Sequence, residues 1–389
     1  MIKKIILLFL LWKILVYACT LLAPFFLVKN SFFTPSVHYT KGLSFLILIF
    51  ANFDGAHYIE VARNGYHDFL YPFFPFYPLL VKITTPYLFK SHIISGEVIS
   101  HISFFAACLV VYKLLHLDKK NNLFVIFMAI VLFFPSSFFY GAVYNDSLFF
   151  FFATLTIYFS RRKKWILASF AGALATYTRL NGLALIFLIF LEYIQSFNKD
   201  KDLWNIRESK KAFITAFSFR NIFHSGIVAI ILIPFAFLSF LAYIHISYGG
   251  WSLVFSSMKQ WDQDKIIFPL QVFWRYYKIL VLYPTFNISY LVALNEQFSV
   301  IMYLVGITYS FKKIRLSYWI FFVISIIIPS LTGTFQGMPR YGLHLYPFFL
   351  SFVLILSNRG KIFKFLYFAI SLTIAFFSII LFTSGFFIA

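Results

Sequence analysis

The 389-residue chain is an almost unbroken succession of apolar runs, and these runs decide what solvent it can fold in. Charged residues make up 12% and hydrophobic residues 61%, whereas a water-soluble domain carries about 25% charged residues. So little charge cannot clothe a folded body in water, and most of the surface must face lipid. A run of about 20 apolar residues crosses the hydrocarbon core, while one of about 10–14 does not. On that rule spans are expected near 5–28, 93–115, 122–141, 143–160, 165–178, 180–195, 222–248, 290–310, 316–332, 342–357 and 365–385. The expected fold is an all-α polytopic membrane protein with about 11 transmembrane helices in one integral domain, 1–389. The first run begins with Lys3 and Lys4, and Ala18-Cys19 hints at a lipoprotein cleavage site. Its length and the runs that follow favour an uncleaved first helix. Cys19 and Cys108 both lie in apolar runs, with no disulfide framework or CxxC site.

The net charge of +20 would suggest nucleic acid in a soluble protein, but in a membrane protein the positive-inside rule must be tested first. With the N-terminus in the cytoplasm, most of the 33 Lys and Arg fall in short inner segments. These hold Lys3 and Lys4; Lys113, Lys119 and Lys120; Arg161 to Lys164; Lys199 to Arg220; Lys312, Lys313 and Arg315; and Arg359, Lys361 and Lys364. Most of the 13 acids run the other way: Asp54, Glu60, Asp68, Glu97, Asp146, Asp262, Asp264 and Glu296 fall outside or near outer span ends. The basic excess is therefore a topology code, and no nucleic-acid partner is called for. The 57 Phe, with abundant Ile, Lys and Asn, fit the codon bias of an A+T-rich genome and carry no functional weight. With the compact length, that bias favours a bacterial plasma membrane over an ER membrane.

Two stretches break the regular pattern. Basic segments flank 165–195 on one side, so the chain must cross and return within it. Fourteen residues before Arg179 reach only about 21 Å as a helix, short of a core about 30 Å thick. The turn Tyr177-Thr178-Arg179-Leu180-Asn181-Gly182 should then lie below the outer surface, where an arginine normally faces a water-filled cavity or an anion. Ala168, Ala171, Gly172, Ala173 and Ala175 would let the preceding helix pack closely. The second stretch is the long outer segment 29–92, whose apolar piece Leu43 to Phe50 suits an interfacial helix or a re-entrant turn. A further outer segment covers 249–289. In the inner segment 196–221, Leu203, Ile206, Phe213 and Phe217 form one stripe among basic residues, as in a helix lying on the inner leaflet.

No GxxxxGK[ST], GxGxxG or HExxH occurs, and no inner segment approaches the roughly 50 residues of a small domain. A cytoplasmic nucleotide is therefore an unsuitable direct substrate. Asp200-Lys201-Asp202 reads as solvated charge, and Asp262-Gln263-Asp264 as a polar loop with a weaker claim to a metal. The strongest constellation is Asn52 to Tyr66. Asp54 suits an N-cap and Gly65 a C′ position. Ala56, Ile59, Ala62 and Tyr66 form an apolar stripe, leaving His57, Glu60 and Asn64 on the polar side. This describes a short helix flat on the outer surface with a carboxylate at its start, and that carboxylate either caps the helix or faces a cavity. The following Tyr71-Pro72-Phe73-Phe74-Pro75-Phe76-Tyr77-Pro78 cannot be an ordinary helix interior.

A Phe-Asp pair, a helix ending in Ala-x-x-Gly-Tyr and then Phe-Phe-Pro-x-Tyr-Pro, all in the first outer loop, resemble the PIG-V family of mannosyltransferases. Tyr144-Asn145-Asp146-Ser147-Leu148-Phe149 is similar to the family's Tyr-x-Glu-Ser-Leu-Phe, with Asp in place of Glu. Arg179-Leu180-Asn181-Gly182 resembles its Arg-x-x-Gly turn, and Met338-Pro339-Arg340-Tyr341 with Tyr346-Pro347 its late Arg-Tyr…Pro segment. The resemblance implies a GT-C-type fold with membrane-lying helices and an acidic catalytic residue in the first outer loop. It further implies a polyprenyl- or dolichyl-phosphate sugar as donor and a lipid or glycan acceptor. On this reading Asp54 is the general base of an inverting transfer. Arg179 and Arg340 would steady the departing phosphate, with His57 and Arg63 as nearer helpers and Tyr341 beside them. Asp146 would bind acceptor hydroxyls or a divalent metal, Mg²⁺ or Mn²⁺, or else cap the helix that starts at Ser147. A rival from another class is a transporter or flippase of a lipid-linked sugar, which would need the arginines but no base.

Overall fold

A computed structural model describes residues 2–27, 43–198, 203–216, 218, 221 and 226–388. Among the described residues every regular element is helical. Five helices are long and apolar enough to cross a membrane: Lys3–Phe25, His92–Leu117, Ile227–Tyr248, Ile288–Ser310 and Lys361–Thr383. The number rises to seven if each of two sharply bent pairs counts as one span. The chain is a multi-pass membrane protein, and among the described residues five to seven elements have the length and apolarity of a full span. Asn121–Leu132, Trp165–Thr178, Leu180–Gln195 and Leu316–Ser330 are apolar but shorter.

Local chemistry explains the shortfall. The run 122–141 stops being α-helical at Leu132 because Pro135 follows, and residues just before a proline avoid the helical region. The run 342–357 is broken at Leu345, where Met338–His344 meets Tyr346–Ser357 at 88°. Pro347 stands in the first turn of the second piece, where its missing N–H costs nothing. The break expected around Arg179 is present: Trp165–Thr178 ends and Arg179 is extended. A 3-10 turn Leu180–Ala184 then leads into Leu185–Gln195. This turn folds back so tightly that a Cβ on Gly182 would lie 2.5 Å from the Thr176 backbone.

The first outer segment also follows its sequence closely. Phe45–Leu48 and the 3-10 turn Ile49–Ala51 make a short apolar element, set at 86° to the helix Asp54–Asn64. That helix stops at Gly65, which takes φ +80° in the manner expected of a C-terminal glycine. Pro78 lies in the first turn of Phe76–Thr84 and so interrupts no intrahelical hydrogen bond. In the inner segment a helix runs Ile206–Ala216, with Leu203 buried and Phe213 exposed. Phe217, the side chain of Ile206 and the triplet Asp200-Lys201-Asp202 lie outside the described residues.

Packing runs from His92–Leu117 to Asp146–Arg161, on to Trp165–Thr178 and then to Leu232–Tyr248. A second set pairs Leu185–Gln195 with Leu316–Ser330, Ile288–Ser310 with Tyr346–Ser357, and the first helix with Lys361–Thr383. The buried residues of Trp165–Thr178 include Ala168, Ala171, Gly172, Ala173 and Ala175, the small residues that allow close helix approach in lipid. At the basic end of the bundle the charges do not all face water. Arg161 pairs with Asp118, and Arg315 grips Glu192 with Nε and Nη2 at 2.8 and 2.9 Å. Tyr346 donates to Asp118 at 3.0 Å. These contacts join five helices at the opposite end of Asp146–Arg161 from its aspartate, about 22 Å away along the axis.

Candidate active site

The site begins with a backbone irregularity. Phe53 takes φ +56°, a conformation a bulky residue adopts only when its surroundings impose it. Its ring is held between Phe382 and Phe387, with centroids 5.5 and 5.4 Å away. Further hydrogen bonds hold this segment against the 143–146 turn. Val143 N donates to the Phe50 carbonyl at 2.9 Å, and the Tyr144 hydroxyl donates to the Asn52 carbonyl at 2.8 Å. Phe53, not Asp54, therefore occupies the N-cap position, and no side chain caps this helix. The capping role considered for Asp54 is not the one observed. Asp54 is the first residue of the helix, and its Oδ2 accepts from Arg340 Nη1 at 2.6 Å.

Asp146 shows the same pattern. It is the first residue of Asp146–Arg161 rather than a cap ahead of Ser147, and its side chain is 0% exposed. A carboxylate at this depth needs several partners, and it has three. Arg179 Nη1 donates to Oδ1 at 2.9 Å, Arg340 Nη2 donates to Oδ2 at 3.3 Å, and His344 Nε2 lies 2.6 Å from Oδ1. Arg179 Nη1 is also 2.7 Å from His344 Nε2, so the three side chains form one closed group.

Arg179 reaches this point because the helix before it stops short and its extended backbone turns the side chain inward. Its guanidinium stands 4.9 Å from the Tyr341 ring centroid, within cation–π range. Arg340 lies in the short helix Met338–Tyr341, which starts after Gly337 at φ +84°. Its guanidinium stands over Tyr144 and Phe139, at 4.5 and 5.0 Å, and bridges Asp54 and Asp146. Arg340 Nε is buried without a hydrogen-bond partner.

Of the residues singled out in the sequence, Asp54, Asp146, Arg179, Arg340 and Tyr341 come together here. His57 does not join the charged group; its ring packs against Phe69 and Phe73, at 5.3 and 5.2 Å, with Trp261 at 6.3 Å. Arg63 is exposed nine residues further along the same helix, about 13 Å from Asp54 along the axis. Near that end Glu60 and Asp68 flank His67 at 3.2 and 3.0 Å, and their hydrogen bonds, Asp68's first, raise the imidazole pKa above its ordinary value. The sequence reading missed His344. The available signal was its place four residues after Arg340, on the same face of a helical turn.

No group of three or more metal-ligating side chains occurs among the described residues. Asp262 and Asp264 are both exposed in the outer loop. The two carboxylates that could share a divalent cation are Asp54 and Asp146, and a cation held by both would have to replace Arg340. Chemically, the cluster offers two guanidinium groups for an anion, one fully buried carboxylate that orients them, and one carboxylate that is partly accessible at 23% exposure.

No protein-family model matches the chain, and no curated protein matches it. Among solved structures it is similar to the oligosaccharyltransferase of Archaeoglobus fulgidus tethered with an acceptor peptide, at 12% identity and a TM-score of 0.43. That alignment covers 97% of this chain and 55% of the other. The apo form of the same protein aligns at 12% identity and a TM-score of 0.42, covering 97% and 56%. Archaeal oligosaccharyltransferase AglB from Archaeoglobus fulgidus, in complex with an inhibitory peptide and a dolichol-phosphate, aligns at 10% and 0.42, covering 96% and 56%. The chain thus spans about half the length of these proteins.

Proposed function

We propose that the protein is a GT-C-type glycosyltransferase that moves a hexose, mannose by resemblance, from a polyprenyl or dolichyl phosphate to an acceptor hydroxyl. The acceptor oxygen attacks the anomeric carbon with inversion, and the bond from that carbon to the phosphate oxygen breaks. The hydroxyl proton passes to the Asp54 carboxylate, and the electron pair leaves with the lipid phosphate. The phosphate gains charge as it departs, which is where preorganised cations contribute most. Arg179 and Arg340 are those cations. Asp146 and His344 hold them in place, and Tyr341 lies under the Arg179 guanidinium.

The observation that carries this reading is the Asp54–Arg340–Asp146–Arg179 chain of ion pairs. A membrane protein that gathers two arginines and two aspartates from four distant segments is holding expensive groups for a purpose. The donor accounts for the choice of cations, because a lipid phosphate needs no nucleotide-binding domain. By the charge pattern, the site faces the outside of a bacterial plasma membrane, with the N-terminus in the cytoplasm.

The test is transfer by purified protein in detergent, supplied with polyprenyl-phosphate sugars and scored for released lipid phosphate and glycosylated product. Asp54→Asn should abolish transfer while the protein keeps its thermal midpoint. Unchanged transfer would remove Asp54 from the chemistry. Wild-type protein that binds the donor but releases no lipid phosphate would favour a transporter.

A further inference from the structure

The two roles proposed for Asp54 and Arg340 compete for the same atoms. Asp54 would take the acceptor's proton with the same carboxylate whose Oδ2 is bound to Arg340 Nη1 at 2.6 Å. Arg340 would hold the phosphate with the same guanidinium, whose Nη1 and Nη2 each give one N–H to Asp54 and Asp146 while Nε is buried with no acceptor. The pairing seen here satisfies the charges with two of the five guanidinium N–H groups.

Resting on the transferase reading, we infer that the donor phosphate displaces Asp54 from Arg340, so that donor binding itself releases the base and the acceptor binds second. Three observations identify Asp54, rather than Asp146, as the group that yields. Asp146 is 0% exposed and has three partners, whereas Asp54 is 23% exposed and its one charged hydrogen-bond partner is Arg340. Asp54 also begins its helix, so a freed carboxylate stays at the positive end of the helix dipole. Finally, the formal charges of Asp54, Asp146, Arg179 and Arg340 cancel. An incoming phosphate leaves this group with excess negative charge, and the excess is least costly where the accessible carboxylate turns towards water.

The exchange couples the two substrates. Freed from Arg340, Asp54 presents both carboxylate oxygens to the acceptor hydroxyl, so the whole base faces the acceptor only once a donor is in place. The proton it then takes from the acceptor hydroxyl removes one negative charge as the phosphate gains one. Without donor, Asp54 Oδ2 stays paired with Arg340 Nη1.

The experiment is direct binding of undecaprenyl phosphate to detergent-purified protein, comparing wild type with Asp54→Asn and Asp54→Ala. Removing a catalytic carboxylate ordinarily leaves ligand binding unchanged or weaker. Here both variants should bind the lipid phosphate roughly tenfold more tightly, the effect of returning one charge-assisted hydrogen bond to the ligand. Equal or weaker binding in both variants overturns the exchange and leaves the transferase reading standing. Failure of wild type and both variants to bind the lipid phosphate overturns the two together. Retained thermal midpoints in the variants guard against misfolding, and the smaller Asp54→Ala change covers the case in which the amide finds a new partner.

Discussion

At the residue scale, Asp146 decides whether the site exists at all. Its buried carboxylate lies between two guanidinium groups, and breaking a buried ion pair from one side costs about 3–5 kcal/mol. Asp146→Asn should therefore lower the thermal midpoint in detergent markedly as well as abolish transfer. Adding Arg179→Leu should restore part of the stability, because the double variant removes the stranded cation, but none of the activity. Stability unchanged in the single variant would mean that the arginines find other anions. The same scale shows where sequence reading was ambiguous. Asp54 and Asp146 each begin a helix and each suited a cap, and local pattern alone could not choose between capping and ion pairing. Arg340 lies 286 residues from Asp54 and 194 from Asp146, so no local spacing announces either pair.

At the scale of elements, the stopped helix at Arg179 does most to build the site. The shortness of Trp165–Thr178 was legible because a charged turn interrupts an apolar run, and helix length is simple arithmetic. The inward direction of Arg179 depends on the fold-back of Leu180–Ala184, which the close approach at Gly182 permits. Gly182→Ala should cost about 1–3 kcal/mol through overpacking, seen as a lower thermal midpoint. It should also weaken binding of the lipid phosphate, because Arg179 loses its place. A variant of normal stability and affinity would show that the turn has slack. The first outer segment was legible in the same local way, through Gly65 and the proline spacing. The strained Phe53 was not, because what holds it is packing against Phe382 and Phe387, more than 300 residues away.

At the scale of the whole molecule, the helix Asp146–Arg161 has an ionic cluster at each end, and the two differ in kind. Around Arg161 and Glu192 the charges clamp helix ends together; around Asp146 they face an accessible carboxylate. The proposed topology has the first end inside and the second outside, an orientation that cysteine labelling reads directly. Cys19 and Cys108 are both buried, so the native chain offers little background to a membrane-impermeant maleimide. In intact cells Asp264→Cys should label and Lys163→Cys should label only after permeabilisation, both positions being exposed. The reverse result would invert the topology and move the site to the cytoplasmic face.

The amino-acid sequence by itself determined the lipid solvent, the helical class, the breaks at Arg179 and Gly65, and a short set of acids worth testing. These follow from composition and from interactions within a turn or two, which every segment carries with it. Only the tertiary structure decided where the runs 122–141 and 342–357 break, that His344 joins the site and His57 stays in its aromatic setting, and that Asp54 is paired rather than capping. A buried charge takes its partner from whatever helix ends the fold brings within about 3 Å, and proximity across hundreds of residues is a property of packing, not of local sequence.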